Sequence, residues 1–404
     1  MTPDTANEKL PMSGVRVLDL ATMLAAPFCG TILGEFGAEV IKVELRGGNS
    51  SRSFGTVTAT GSSFIWLSEQ RNKKCITLDL RKPEGKALAE QLVAQSDIVV
   101  ENFMPGTLER WGLGYERLKE IKPDIILVRV TAYGQTGPYI DRPGFARVAH
   151  AFAGLSNLAG EPDGRPVIPG STSLGDYITG LYAALGAMLS YVARERYGIG
   201  QQVDIGLYEG VFRMLDEMAS VYAKTGFVRT RLGADTVNLV PHSHYECSDG
   251  KWVALACSNE EMWRRMATAM GREDMTHPDT YGHVSKRLAA RDYINQVVGD
   301  FMLSKTRDEI IAHCLSFEVP IGPLYDVSDI FKDPQYEARG NLQKVEVPKE
   351  GTVVMPGVIP KLSETPGRIK WAGPDIGAHN DEIYMGLLGL SREELDRLTQ
   401  AGVI

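Results

Sequence analysis

Asp176 stands in the pentad Ser173-Leu174-Gly175-Asp176-Tyr177, at the head of a long apolar stretch. The start of a helix presents backbone N–H groups without intrahelical acceptors and the positive end of the helix dipole. A carboxylate placed there is expected to be ionised. Two roles suit it: a helix cap, for which Asp is a favoured residue, or the nucleophile of a covalent mechanism. The local pattern leaves both open. Other reactive side chains are dispersed. The seven His residues show no metal-ligand spacing. His242 and His244 are two apart and would share one face of a strand, a pair that lines a surface more often than it binds an ion, so no metal is expected. The five cysteines (Cys29, Cys75, Cys247, Cys257, Cys314) form no CxxC pair, which argues against a zinc site or a disulfide framework and suits a reduced, cytoplasmic setting. No Gly-x-Gly-x-x-Gly follows the first strand, and there is no Walker loop, HExxH or Gly-x-Ser-x-Gly elbow.

Composition bounds the class. A chain of 404 residues, 43% hydrophobic and 23% charged, is long enough for two or three domains with full cores. Its net charge of −8 argues against sequence-independent nucleic-acid binding, which depends on neutralising phosphates. Residues 1–11 lack an apolar signal core, and no uninterrupted apolar stretch is long enough to span a bilayer, so no membrane partner is expected.

The elements that must position Asp176 alternate along the first half. Strands are expected at 15–20, 39–44, 75–80, 97–103, 124–131 and 203–207, with helices at 27–36, 83–96, 115–121, 176–194 and 210–224. Apolar strands separated by helices predict a parallel sheet covered on both faces, with ligands beyond the carboxyl ends of its strands. Residues 144–175, rich in Gly, Ala, Pro and Ser, read as an irregular segment near a site. The helix that begins at Asp176 carries apolar or small residues on most faces and is expected to be buried. From about 226 to 325 the character changes to a hairpin around Asp249-Gly250 and charged amphipathic helices. The domains expected are therefore 1–225 and 349–404 as two parts of a large domain, 226–325 as a small one and 326–348 as a linker. A last helix at 391–401 opens with Ser391 and Glu394 in capping-box spacing.

Five segments together resemble the family III CoA transferases and the related alpha-methylacyl-CoA racemases. They are VRVLDLATMLAAPFCGTILGEFGAEVIKVE (15–44), QRNKKCITLDLRKPEG (70–85), DIVVENFMPGTLERWGLGYERLKEIKPDIILVRVTAYGQTGP (97–138), GSTSLGDYITGLYAALGAM (170–188) and GIGQQVDIGLYEGV (198–211). The likeness continues through VPIGPLYDVSDIFKDPQYEARG (319–340). The resemblance implies an α/β fold: a Rossmann-like parallel-sheet large domain without the glycine fingerprint, a smaller α+β domain, and ring-shaped subunits in an interlocked dimer. It implies coenzyme A or an acyl-CoA as substrate. It makes Asp176 the nucleophile, which passes through an aspartyl anhydride and an aspartyl-CoA thioester.

Further residues carry over by the same resemblance. Asn102, Phe103, Thr107, Arg110 and Trp111 match the stretch that holds CoA, Arg71, Lys73 and Lys74 the basic stretch on its side, and Tyr133 an active-site tyrosine. The plainer alternatives are a solvated Glu109-Arg110, a core Trp111 and an exposed charge run. Arg46, Arg52, Arg142 and Arg147 lie near expected strand ends, where one can clamp the second carboxylate of an acceptor. The racemases carry a His-Asp pair where this chain reads Gly144-Phe145-Ala146-Arg147, and Arg147 is too basic to move an α-proton. Formyl-CoA transferase has Gln and His where this chain has Leu24 and Thr22, and a glycine flap where it has Val240-Pro241-His242-Ser243-His244. The resemblance thus points to CoA transfer between carboxylic acids, with a dicarboxylic or hydroxy acid (malate, citramalate or itaconate type) as acceptor and a succinyl-CoA-like donor. The alternatives are a 2-methylacyl-CoA racemase or epimerase, and a non-catalytic CoA-binding subunit of a hetero-oligomer.

Overall fold

Residues 9–404 are described by a computed structural model. Six parallel strands form the main sheet: β1 (Arg16–Asp19), β2 (Glu39–Glu44), β3 (Lys73–Thr77), β4 (Ile98–Glu101), β5 (Ile126–Thr131) and β6 (Gln202–Gly206), in the order β3-β2-β1-β4-β5-β6. This is the doubly wound order, whose direction of winding reverses between β1 and β4. The expected α/β class is met, and the reversal point marks where a ligand crevice belongs. The strands read as apolar runs because both faces are covered. Leu18, Ile41, Ile76, Val99 and Leu127 sit in one core, and Val17, Val40, Ile98, Val100 and Val128 in the other.

The helices follow in chain order: α1 (Ala25–Glu35), α2 (Phe64–Glu69), α3 (Pro83–Ala94), α4 (Thr107–Arg110), α5 (Tyr115–Ile121), α6 (Ala146–Phe152), α7 (Leu155–Leu158), α8 (Leu174–Tyr197), α9 (Leu207–Arg213) and α10 (Met218–Thr225). The single helix expected over 210–224 is two. Asp216 takes φ 43, a left-handed conformation that breaks the run between α9 and α10. The segment expected to be irregular contains α6 and α7. Helix α8 ends on Gly198 at φ 68, the left-handed cap that a glycine accepts without strain.

Helix α8 packs against α1, and the contact is set by Gly180. A Cβ there would stand 2.7 Å from the Ala25 carbonyl oxygen and 2.9 Å from Phe28 Cβ. Gly180→Val is therefore expected to destabilise the protein by about 1–3 kcal/mol through overpacking, read as a lowered urea midpoint; an unchanged midpoint would show that the two helices part without cost.

The chain divides into two compact units: 1–156 with 168–225 and 337–404, and 157–167 with 226–336. The second runs past the expected boundary at 325, because Arg307 pairs with Asp329 at 3.1 Å and the Tyr325 hydroxyl donates to Asp333 at 2.8 Å. It contains an antiparallel sheet of β7 (His242–Glu246), β8 (Trp252–Ala256) and β9 (Ile321–Pro323), against which helices Arg291–Met302 and Arg307–Ser316 pack, with Trp263, Met266, Ile294 and Val298 in its core. The first unit also holds the antiparallel pair Leu342–Val347 and Gly351–Pro356, and the capped helix Arg392–Gln400, whose Ser391 and Glu394 form the expected capping box.

Candidate active site

The crevice at the sheet reversal is built from the ends of β1 and β4. Asp19, the last residue of β1, is fully buried and accepts from Lys42 Nζ and Lys73 Nζ at 2.9 Å each and from the Ala21 N–H at 3.0 Å. Burial alone would raise its pKa, but the two ammonium groups hold it below the usual carboxylate range. This knot fixes the turn that follows β1. Beyond it, the Thr22 N–H donates to Asn102 Oδ1 and Asn102 Nδ2 donates to the Thr22 carbonyl, both at 2.7 Å, so the two strand ends are stitched together. The Phe103 N–H donates to Glu101 at 2.7 Å, and the Phe103 ring meets Trp111 edge-on at 5.0 Å.

Thr22, Phe103 and Trp111 line a groove of about 230 Å³ with Leu20, Leu45, Leu80 and Arg81. Flat aromatic surface beside a guanidinium suits a heterocycle carrying phosphates. The sequence reading did not single out Leu80 or Arg81; they become part of the groove only through the pairing of β2 with β3. Glu109 pairs with Arg129 at 2.8 Å. Arg110 is exposed, donates to Thr107 Oγ1 at 2.8 Å, and forms no ion pair among the described residues.

The basic stretch after α2 is placed otherwise than expected. Lys73 is fully buried, and its three donors go to Asp19, the Pro27 carbonyl and Gln70 Oε1. Arg71 is buried against Glu35 and the Pro356 carbonyl. Lys74 lies between Glu39 and Glu382 at 2.6 Å each. Strand β3 enters the sheet here, so charges that read as an exposed run are neutralised inside the fold, with no donor left for a phosphate on Lys73. The arginines near strand ends also separate. Arg52 is held by Glu44 and stacked 3.6 Å over Trp66, and exposed Arg46 donates to the Thr399 carbonyl at 2.9 Å. Exposed Arg142 lies 3.6 Å over the Tyr139 ring. Among the described residues neither Arg142 nor exposed Arg147 has an ion-pair partner.

Asp176 is the third residue of α8. The cap position belongs to Ser173, and the Asp176 carboxylate makes no capping bond to a backbone N–H. Asp176 is half-buried, and the desolvation that comes with it pushes its pKa up to about 7. This reverses the expectation from the helix terminus: a dipole contribution of about 0.3–1 kcal/mol is less than one pKa unit, and burial outweighs it. The next residue, Tyr177, packs edge-on against Phe28 at 4.9 Å and hydrogen-bonds Glu69, which burial holds above the usual range. The preceding Gly175 donates its N–H to His150 Nε2 at 2.8 Å.

Tyr133, just past β5, joins an aromatic cluster with Tyr139, Phe152 and Tyr208, at centroid distances of 5.7, 5.1 and 6.2 Å. Helix α6 carries Phe152 of this cluster and His150 beside Gly175, so it links Tyr133 with the segment bearing Asp176. His242 and His244 fall on β7 of the second unit. Among the described residues no three His, Cys, Asp or Glu side chains converge as a metal site, and no helix is long and apolar enough to cross a membrane.

A family model for CoA-transferase family III matches residues 12–380. The succinyl-CoA--L-malate CoA-transferase alpha subunit of Chloroflexus aurantiacus is 50% identical to this chain over 405 residues, which cover 100% of this chain and 95% of that one. The beta subunit of the enzyme with that name, from the same species, is 48% identical over 404 residues, covering 99% of this chain and 100% of the other. Among solved structures, a CAIB/BAIF family protein from Brucella suis superposes with a TM-score of 0.82 at 32% identity, over 94% of this chain and 100% of that one.

Proposed function

The chain belongs to CoA-transferase family III, and we propose that it moves CoA from succinyl-CoA to a malate-, citramalate- or itaconate-type acid through covalent intermediates on Asp176. The observation that carries this reading is the Asp176 carboxylate itself: on the first turn of α8, without a cap or ion-pair duty, and with its pKa at about 7. In the proposed cycle a carboxylate oxygen attacks the thioester carbon and expels CoA thiolate, leaving a mixed anhydride. The thiolate then attacks the aspartyl carbon, releasing the donor acid and forming the aspartyl-CoA thioester. The acceptor carboxylate displaces thiolate from that thioester, and the thiolate takes the acceptor's acyl group, restoring Asp176. Each step exchanges one nucleophile for another with no net proton transfer, so an ionised Asp176 is needed and no separate general base.

CoA is assigned to the groove at the strand reversal, with the adenine against Phe103 and Trp111 and phosphates toward Arg110 and Arg46. Asn102 and Thr107 hold the groove's shape. Arg71, Lys73 and Lys74 are left out of these contacts because their partners are internal. Tyr133 lines the acyl side. Arg147, an exposed cation on the helix that touches Gly175, is assigned to the second carboxylate of the acceptor. An α-proton mechanism lacks its acid–base pair, since Phe145 and Ala146 supply none. A partner chain is part of the reading: Leu181, Leu185 and Leu189 leave about half of their surface exposed in a stripe along α8, which sequence alone placed in the core. An interlocked dimer, with a second copy or with a related subunit, would cover it. Five buried, unpaired cysteines suit a cytoplasmic setting.

Succinyl-CoA offered with a panel of acids, products read by mass spectrometry, tests the assignment. Dicarboxylic acids are expected to be converted and monocarboxylic acids to fall at least about tenfold behind. Arg147→Ala is expected to raise KM for the dicarboxylic acceptor about 10- to 100-fold, the loss of one charge-assisted contact, while KM for succinyl-CoA holds. Equal use of acetate and malate by the unaltered protein would overturn the acceptor class.

A further inference from the structure

We propose that His150 is a positioning residue for the transfer: a neutral imidazole, protonated on Nδ1, that holds the first turn of α8 through the Gly175 N–H and so sets where the Asp176 carboxylate stands. The inference rests on Asp176 being the nucleophile, and it adds a second residue to that site.

The geometry is specific. The first N–H groups of a helix have no intrahelical acceptor, and Ser173 offers no side-chain bond to them. The acceptor comes instead from another helix: His150 Nε2 lies 2.8 Å from the Gly175 nitrogen, directly before Asp176. Accepting a hydrogen bond at Nε2 places the ring proton on Nδ1. Residue 175 must be small for this approach, because a Cβ there would stand 3.0 Å from Nε2. The other side of the same residue is also held, with Thr179 Oγ1 donating to the Gly175 carbonyl at 2.7 Å and to that of Leu207 at 3.2 Å. The peptide before Asp176 is thus pinned from α6, from within α8 and from the start of α9.

A second observation argues that fold stability alone does not explain a histidine here. Its side chain is fully buried, and its Nδ1 has no hydrogen-bond partner. A buried donor without an acceptor costs about 1–3 kcal/mol. A leucine of similar bulk would avoid that cost but leave the buried Gly175 N–H unpaired at a similar one, so the two residues differ little in stability and mainly in what holds the turn before Asp176. What leucine lacks is the acceptor at Nε2. Helix α6 also carries Arg147 and Phe152, so the short helix that lines the proposed acyl side fixes the nucleophile by the same means.

The test uses the full chain with His150→Leu, which keeps bulk and removes the acceptor, and His150→Gln, whose Oε1 can take the place of Nε2. For succinyl-CoA and L-malate, His150→Leu is expected to lower kcat about 10²-fold, the effect of a displacement near 1 Å at the reacting group. KM for succinyl-CoA should stay within about threefold, and the melting temperature should move by only a few degrees, because one orphaned buried donor replaces another. Amide hydrogen exchange over 174–178 should quicken. His150→Gln should recover at least about tenfold of the lost kcat and the slow exchange. Undiminished kcat in His150→Leu, or a folded His150→Gln no faster than His150→Leu, would overturn the proposal. Transfer that survives in Asp176→Ala would instead remove the nucleophile assignment. The exchange measurement then still reads the tie: unchanged protection in His150→Leu refutes it, and lost protection supports it.

Discussion

Asp176→Ala is expected to abolish CoA exchange between succinyl-CoA and L-malate, with a loss of about 10⁴-fold or more, as when an enzyme's nucleophile is removed. Affinity for CoA should remain within about threefold, because the proposed CoA contacts lie beyond the ends of β1, β2 and β4 and do not include α8. The protein should fold, since the mutation removes a carboxylate that has no cap or ion-pair duty. Asp176→Glu is a sharper control. It keeps the charge but moves it by one methylene, and a carboxylate displaced by that distance from a thioester carbon is expected to lose at least about 10²-fold. Hydroxylamine added during turnover should convert Asp176 of the unaltered protein to a hydroxamate, found by peptide mass spectrometry. Retention of more than a few per cent of exchange in Asp176→Ala would rule out the covalent route and favour direct attack of the acceptor on the donor thioester.

Much of the scaffold around Asp176 is legible in the sequence because parallel strands covered on both faces are largely apolar. The strands expected at 39–44, 97–103 and 124–131 each contain an apolar run, and the structure places strands at Glu39–Glu44, Ile98–Glu101 and Ile126–Thr131. Less legible are charges that the fold takes inside. Lys42 and Lys73 interrupt β2 and β3, and both are fully buried because Asp19 waits on β1. No local pattern announces a partner 23 or 54 positions away. The stripe of Leu181, Leu185 and Leu189 fails in the opposite sense: apolar spacing says that a face is to be covered, not by which chain. The break between α9 and α10 hinges on Asp216 alone, in a conformation that an aspartate adopts only when the surrounding structure requires it.

In the proposed site, the resemblance points to Asp176, Asn102 and Phe103, while the residues proposed to tune them are spread. His150 acts across 25 positions and has no motif of its own. The pKa of Asp176 cannot be read from its place on the helix, because the competing effects differ in size and the larger one, burial, depends on the packing of other segments. This is a case of fold and function pulling apart. Leaving an aspartate desolvated without a partner weakens the folded state at neutral pH, and capping or pairing it would relieve the cost and remove the free carboxylate.

That opposition predicts two pH dependences of opposite use to the protein. The proposed nucleophile must be ionised to act, so kcat/KM for the donor is expected to climb about tenfold per pH unit on the acid side and level off above about 7. At pH 5 it should be about 100-fold below the plateau. Protonation of His150, whose pKa burial and nearby Arg147 hold below the usual histidine range, would steepen the lowest part of that limb. Stability runs the other way. Below the ordinary aspartate range both folded and unfolded chains hold the proton, and Asp176 costs nothing. As pH rises, the unfolded chain ionises first while the folded one keeps its proton until about 7, so the unfolded state gains about 1.4 kcal/mol per unit over that interval. The penalty is complete above pH 7. Asp176→Asn, neutral at every pH and close in shape, is therefore expected to be more stable than the unaltered protein by about 2–4 kcal/mol at pH 8, with the gap closing toward pH 4. Urea midpoints across that range measure it. A gap that is constant with pH, or a rate profile flat from pH 5 to 8, would mean that Asp176 is already ionised in the folded protein, and that the advantage of its buried position lies elsewhere than in a raised pKa.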